Sequence, residues 1–230
     1  MQARGLVFLG LLTVAAGSMQ ADAVSGTLKA TGLTVSLGPG WAVEFLPANS
    51  ANFIITAGST GTFAPLVTTS GKINDFTAIP GPSVQTNFVT FTSVPNLSFT
   101  LESISPGVFG SADCNAPPAA GQTCTPPGTA FNLTNTSLDT GTVSFTIRGT
   151  ASDGTGTPSS FEGIINASFS GATYQDLLAN VANGTFFTAR AASASFNVTA
   201  TPEPASMLLF GAGLFGVALL RRRLVRCSQG

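Results

Sequence analysis

The sequence contains no histidine. That absence removes Ser-His-Asp and Cys-His catalysis and any histidine-ligated metal site. Charge is also scarce: 8% of the 230 residues are charged, against roughly 25% in an ordinary soluble protein. Nine Lys+Arg against ten Asp+Glu leave a net charge of −1, so no basic surface calls for nucleic acid. There is one Trp and one Tyr, too few for a long aromatic platform. No Gly-rich phosphate loop, S-x-x-K arrangement or C-x-x-C pair occurs. Apolar residues are not lacking. They make up 43% of the chain and include 18 Phe, enough to build a core and to argue against disorder.

The two ends read as processing signals. Arg4 precedes an apolar run from Leu6 to Ala16, and Ala21-Asp22-Ala23 then supplies small residues in A-x-A spacing. That order predicts a signal peptide over residues 1–23, cut before Val24 by signal peptidase reading Ala21 and Ala23. At the other end, Pro202-Glu203-Pro204 is followed by an apolar run at 205–220 and by Arg221, Arg222, Arg223 and Arg226. A helix over that run would be about 24 Å long at ~1.5 Å per residue, short of the ~30 Å hydrocarbon core. It suits a transient transmembrane segment held by its arginines, which place the C-terminus on the cytoplasmic side. A cleaved signal peptide places the intervening chain outside, so the two orientation signals agree.

This three-part tail resembles the PEP-CTERM sorting signal of Gram-negative and other diderm bacteria. The resemblance covers residues 201–230. It implies an exported protein whose tail is recognised and removed by a membrane-embedded cysteine protease, the exosortase. It also implies a setting of exopolysaccharide and biofilm matrix at the cell surface. The Cys-containing middle and Tyr174–Ala179 are similar, more loosely, to ectodomains joined to such tails. An ordinary C-terminal membrane anchor is the alternative reading of the same residues.

Sidedness organises the cysteines. Cys227 lies beyond the arginines, on the reducing side. Cys114 and Cys124 lie outside with nine residues between them, and an exported pair so close predicts a disulfide. Two cysteines without histidine are too few for a zinc site.

Between the ends, residues 24–200 carry repeated strand signals. Leu33, Val35 and Leu37 alternate with Thr34 and Ser36, and Val143, Phe145 and Ile147 with Ser144, Thr146 and Arg148. The same pattern recurs at 97–102 and 192–199, with further candidates at 52–56, 87–92, 131–136 and 161–169. Only 173–182 has helical spacing, through Tyr174, Leu177, Leu178 and Val181. The expected fold class is all-β: an antiparallel β-sandwich or jelly roll with one short helix, plus the C-terminal transmembrane helix.

Catalytic chemistry has little to draw on. Eight carboxylates in this span permit a glycosidase pair in principle, and Glu44 near Trp41 is the most suggestive placement, but Trp41 packed in the core or at a strand end with Glu44 facing water is the preferred reading. Asp139-Thr140-Gly141 and Asp153-Gly154-Thr155-Gly156 offer oxygen ligands for Ca²⁺, but at a density that plain turns account for. Six N-x-[ST] sequons, at Asn96, Asn132, Asn135, Asn166, Asn183 and Asn197, are common by chance in a hydroxyl-rich chain. The leading expectation is a non-enzymatic exported surface or matrix protein with no cofactor or metal. The alternatives are a carbohydrate-binding module and a carboxylate-based glycoside hydrolase.

Overall fold

The computed structural model describes residues 23–48, 51–201 and 213. Among the described residues, twelve strands and the helix Tyr174–Ala182 follow in chain order. The strands are β1 (Gly26–Leu37), β2 (Ala42–Phe45), β3 (Ala51–Ile55), β4 (Ser70–Ile73), β5 (Phe76–Thr77) and β6 (Gly81–Phe91). β7 (Ser98–Ile104), β8 (Thr123–Cys124), β9 (Asn132–Asn135), β10 (Thr140–Ser152), β11 (Ser159–Ser170) and β12 (Phe187–Thr199) complete them, with α1 (Tyr174–Ala182) between the last two.

The expected pair of stacked sheets is not what forms. The strands make one antiparallel sheet that closes on itself as an eight-stranded barrel, in the order β1, β3, β4, β6, β7, β10, β11, β12 and back to β1. Closure depends on the first and last strands, which pair from Gly26↔Val198 to Leu37↔Phe187. A closed sheet has no free edge to protect, which suits a chain with few charges to guard one. β10 is shared along its length: its second half pairs with β7, and its first half carries a β9–β8 ribbon leading to the disulfide loop.

Alternation along the long strands sends one side chain in and the next out. In β11, Phe161, Ile165, Ala167 and Phe169 are buried while Glu162, Ile164, Asn166 and Ser168 are exposed. An eight-stranded barrel is just wide enough for its interior to be filled by side chains, and here phenylalanine fills it. Phe99 alone has ring centroids 5.0 to 5.8 Å from those of Phe161, Phe196, Phe91 and Phe63. Inward glycines make room for these rings. A Cβ at Gly163 would sit 2.6 Å from the Phe196 ring, and one at Gly149 would sit 1.9 Å from the Thr100 carbonyl oxygen.

The two ends of the barrel differ. Phe63, from the short 3₁₀ segment Gly61–Leu66, plugs the end where the chain enters and leaves. There the backbone N–H of Ser25 donates to Thr62 Oγ1 at 3.0 Å, and that of Thr27 to Thr60 Oγ1 at 2.9 Å. The other end is capped by α1, the segment Pro39–Trp41 and the long connection from β7 to β9. Helix α1 starts at a capping box, with Thr173 N–H donating to Asp176 Oδ2 at 2.7 Å and Asp176 N–H returning to Thr173 Oγ1. Its Tyr174, Leu177 and Val181 are buried.

Among the described residues no helix is long and apolar enough to cross a membrane. The expected span at 205–220 lies outside the described residues except for Gly213, and so do residues 1–22 of the expected signal peptide.

Candidate functional site

The helix-capped end carries a groove of about 840 Å³. Trp41 forms one wall, Leu178, Ala179 and Ala182 of α1 another, and the proline pairs Pro117-Pro118 and Pro126-Pro127 line the rest. Trp41 is fixed from several directions. Its φ of 63° follows Gly40 at 67°, a left-handed pair that turns the chain into β2. Its carbonyl accepts the Ala78 N–H at 2.8 Å, and its ring meets Phe131 edge-on at 5.6 Å.

The opposite wall is held by a disulfide and a buried amide relay. Cys114 and Cys124 are joined, with Cα atoms 5.1 Å apart. Asn135 is fully buried; its Oδ1 accepts the Tyr174 N–H at 2.9 Å, and its Nδ2 donates to Gln175 Oε1 at 2.9 Å. Gln175 Nε2 in turn donates to Ala116 O at 3.2 Å and Gln122 Oε1 at 3.1 Å. The Tyr174 hydroxyl donates to Asp113 O at 2.9 Å. Burial, and then the nearby Asp113 charge, push the Tyr174 phenol above its ordinary pKa. The relay thus binds β9, the disulfide loop and α1 into one unit. It also uses up the polar groups of Gln175, so the groove meets a ligand with a mainly apolar face.

Replacing both loop cysteines by alanine should cost ~2–3 kcal/mol, the chain-entropy value for so short a closed loop. Thermal unfolding of the C114A/C124A double variant checks this. Unchanged stability would mean that the relay alone fixes the loop.

The structure separates the other candidates. Glu44 lies on β2 opposite Ser36 and does not line the groove with Trp41. Among the described residues the groove lining includes no carboxylate. The two turns that offered oxygen ligands for Ca²⁺ engage their carboxylates in internal hydrogen bonds, as plain turns do. Asp139 Oδ1 accepts from Ser137 Oγ and from Thr140 Oγ1, and these hydroxyls lower its pKa. At Asp153 partial burial works to raise the pKa, but the Thr155 hydroxyl and N–H outweigh it and the net shift is downward. Of the sequons, Asn135 is closed to modification in the folded chain because its side chain is buried in the relay. Sequence reasoning missed the groove. The Pro-Pro pair beside each cysteine was its visible trace.

Of the expected signal-cleavage residues, Ala23 is the first described residue and Ala21 lies outside the described residues. Pro202, Glu203, Pro204, Arg221, Arg222 and Arg223 also lie outside them. The last described stretch leads directly to this tail: β12 ends at Thr199, and the Thr201 hydroxyl donates to Pro158 O at 3.2 Å. Residues 200–223 match the PEP-CTERM protein-sorting motif family. The chain carries a PEP-CTERM protein-sorting motif. A PEP-CTERM protein is exported, held transiently in the membrane and processed by an exosortase. No curated protein and no solved structure matches the chain.

Proposed function

We propose that this PEP-CTERM protein is a non-enzymatic component of the cell surface or extracellular matrix of a diderm bacterium, associated with exopolysaccharide. In this reading signal peptidase cuts before Val24, and an exosortase then removes the tail beyond the barrel. The observation that carries the reading is the sorting motif set immediately after the last strand of a closed, side-chain-filled barrel. Two details support the N-terminal cut. Val24 is 3% exposed, and the backbone of the next residue, Ser25, is bonded to the Thr62 N–H and hydroxyl, so a chain beginning at Val24 includes the first residues seen packed on the barrel.

Deleting the exosortase from the host tests it. The protein should shift from the surface and polysaccharide fractions to the inner membrane and gain the mass of its tail. An unchanged distribution would contradict the proposal.

A second reading, a carbohydrate-binding module, is favoured by the placement of Trp41 in the groove. On that reading, Trp41→Ala should cost about 2 kcal/mol, or roughly thirtyfold in affinity for the host polysaccharide. Isothermal titration with the tail-less domain measures it. Equal binding by the two proteins would leave the groove without a role in sugar recognition.

A further inference from the structure

The barrel has two unlike poles, and the tail leaves from only one. An even number of antiparallel strands brings both chain ends to the same side. Gly26 pairs with Val198, and Ser160 with Thr199. The groove, α1 and the disulfide occupy the opposite side. We propose that, while the tail is embedded, the pole bearing the chain ends rests on the bilayer surface and the groove points away from it. This rests on the reading of the tail as a transient membrane anchor.

Chain length sets the first constraint. Thr201 is still bonded to the 153–158 turn through Pro158, and the apolar run begins at Ala205. Four Cα steps between them reach at most ~14 Å. Of this, about 5–8 Å is taken by the headgroup layer on that side. The pole is left with less than about 10 Å of clearance.

Charge makes the second argument. Three connections form this pole, at 56–69, 92–97 and 153–158, and Asp153 is their only charged residue. The rest are Thr, Ser, Gly, Pro, Asn and small or aliphatic residues, apart from the buried Phe63. The Lys29 ammonium lies beside Gly58 at the same end, and Glu162, at a similar height on β11, is paired with Arg148 at 2.7 Å, so the two charges cancel. The far pole instead collects Glu44, Asp75, Asp113, Asp139 and Asp176 in its strands and connections. An anionic lipid surface repels the second pole and tolerates the first. The lipid-facing loops are also firm. Backbone and hydroxyl bonds lace Ser59, Thr60 and Thr62 to Ser25 and to the start of β1 at Thr27 and Lys29. Two glycines permit that lacing: a Cβ on Gly26 would sit 2.3 Å from the Thr60 carbonyl oxygen, and one on Gly61 would sit 2.2 Å from that of Ser25.

The test uses the tail-bearing chain from Val24 to Gly230, without the signal peptide, in vesicles of phosphatidylethanolamine and phosphatidylglycerol and without any protease. In a Cys227→Ser background, a fluorophore is placed at Asn96→Cys or Thr157→Cys on the near pole, or at Leu138→Cys on the far pole. All three positions are exposed. A nitroxide on the lipid headgroups should quench the first two several-fold more than the third. Resistance to alkaline extraction reports insertion of the tail separately. Inserted precursor with equal quenching at both poles would overturn the orientation while leaving the anchor reading intact. Extractable precursor would defeat both. Quenching of the near pole that appears only when exosortase is reconstituted alongside would mean that the pole docks on the protease, which also overturns the proposal.

Discussion

Glu203→Ala should leave the precursor in the membrane with its tail attached. Glu203 is the only charged residue from 191 to 220, so it is the single electrostatic mark by which a membrane protease can find the junction. Proline fixes its own φ and disfavours helix in the residue before it, so the sequence pattern is expected to present the glutamate outside any helix formed by the apolar run. A hydrogen bond to a charged group contributes about 1.5–3 kcal/mol, so its loss should lower the kcat/KM for cleavage roughly 10- to 150-fold. Pro204→Ala should act in the same direction through loss of preorganisation. Changing Arg221, Arg222 and Arg223 to serine should do something different. Each arginine opposes passage of the run through the translocon by roughly 2.5–3.5 kcal/mol at a helix centre. Without them, tail-bearing protein should escape outward. Pulse-chase labelling with fractionation distinguishes retained precursor from released, tail-bearing protein. Normal cleavage and location in both variants would reduce the tail to a simple hydrophobic end.

Phe99→Ala should be among the most damaging single changes in the barrel. Phe99 is fully buried, and its ring meets rings from β6, β11, β12 and the Gly61–Leu66 plug. Truncation leaves a cavity that a closed barrel cannot collapse to fill, at a cost of about 3–5 kcal/mol. That is a large share of the roughly 5–15 kcal/mol that holds a domain folded, and at about 2–4 °C per kcal/mol it lowers Tm by some 6–20 °C. Val84→Ala, at a side chain that is 76% exposed, should change stability by less than about 0.5 kcal/mol. Similar midpoints for the two variants would mean that the phenylalanine cluster is not the core of the fold.

The long strands were legible because period-two alternation is a local signal. The stretches at 143–148 and 161–169 lie within β10 and β11, and 173–182 holds α1 with its cap. Closure was not legible. A sandwich strand and a barrel strand show the same alternation, and what separates them is the pairing of Gly26–Leu37 with Phe187–Thr199 across the whole chain. β5 and β8 are two residues long, too short to leave any periodic trace. The groove escaped for a related reason. It is built from proline pairs, one tryptophan and one helix face that are distant in sequence, and none of these residue types announces a ligand by itself. The sorting motif was legible because its code is linear: a tripeptide, an apolar run and a basic cluster in fixed order, read without folding.

The central claim is that this PEP-CTERM protein loses both ends and persists as the barrel. The intact mass of the protein recovered from an exosortase-bearing host tests it most directly. The account predicts a chain that begins at Val24, retains the linked Cys114 and Cys124, and contains no peptide from Arg221–Arg223. Recovery of full-length Met1–Gly230 from the mature cell fraction would contradict it.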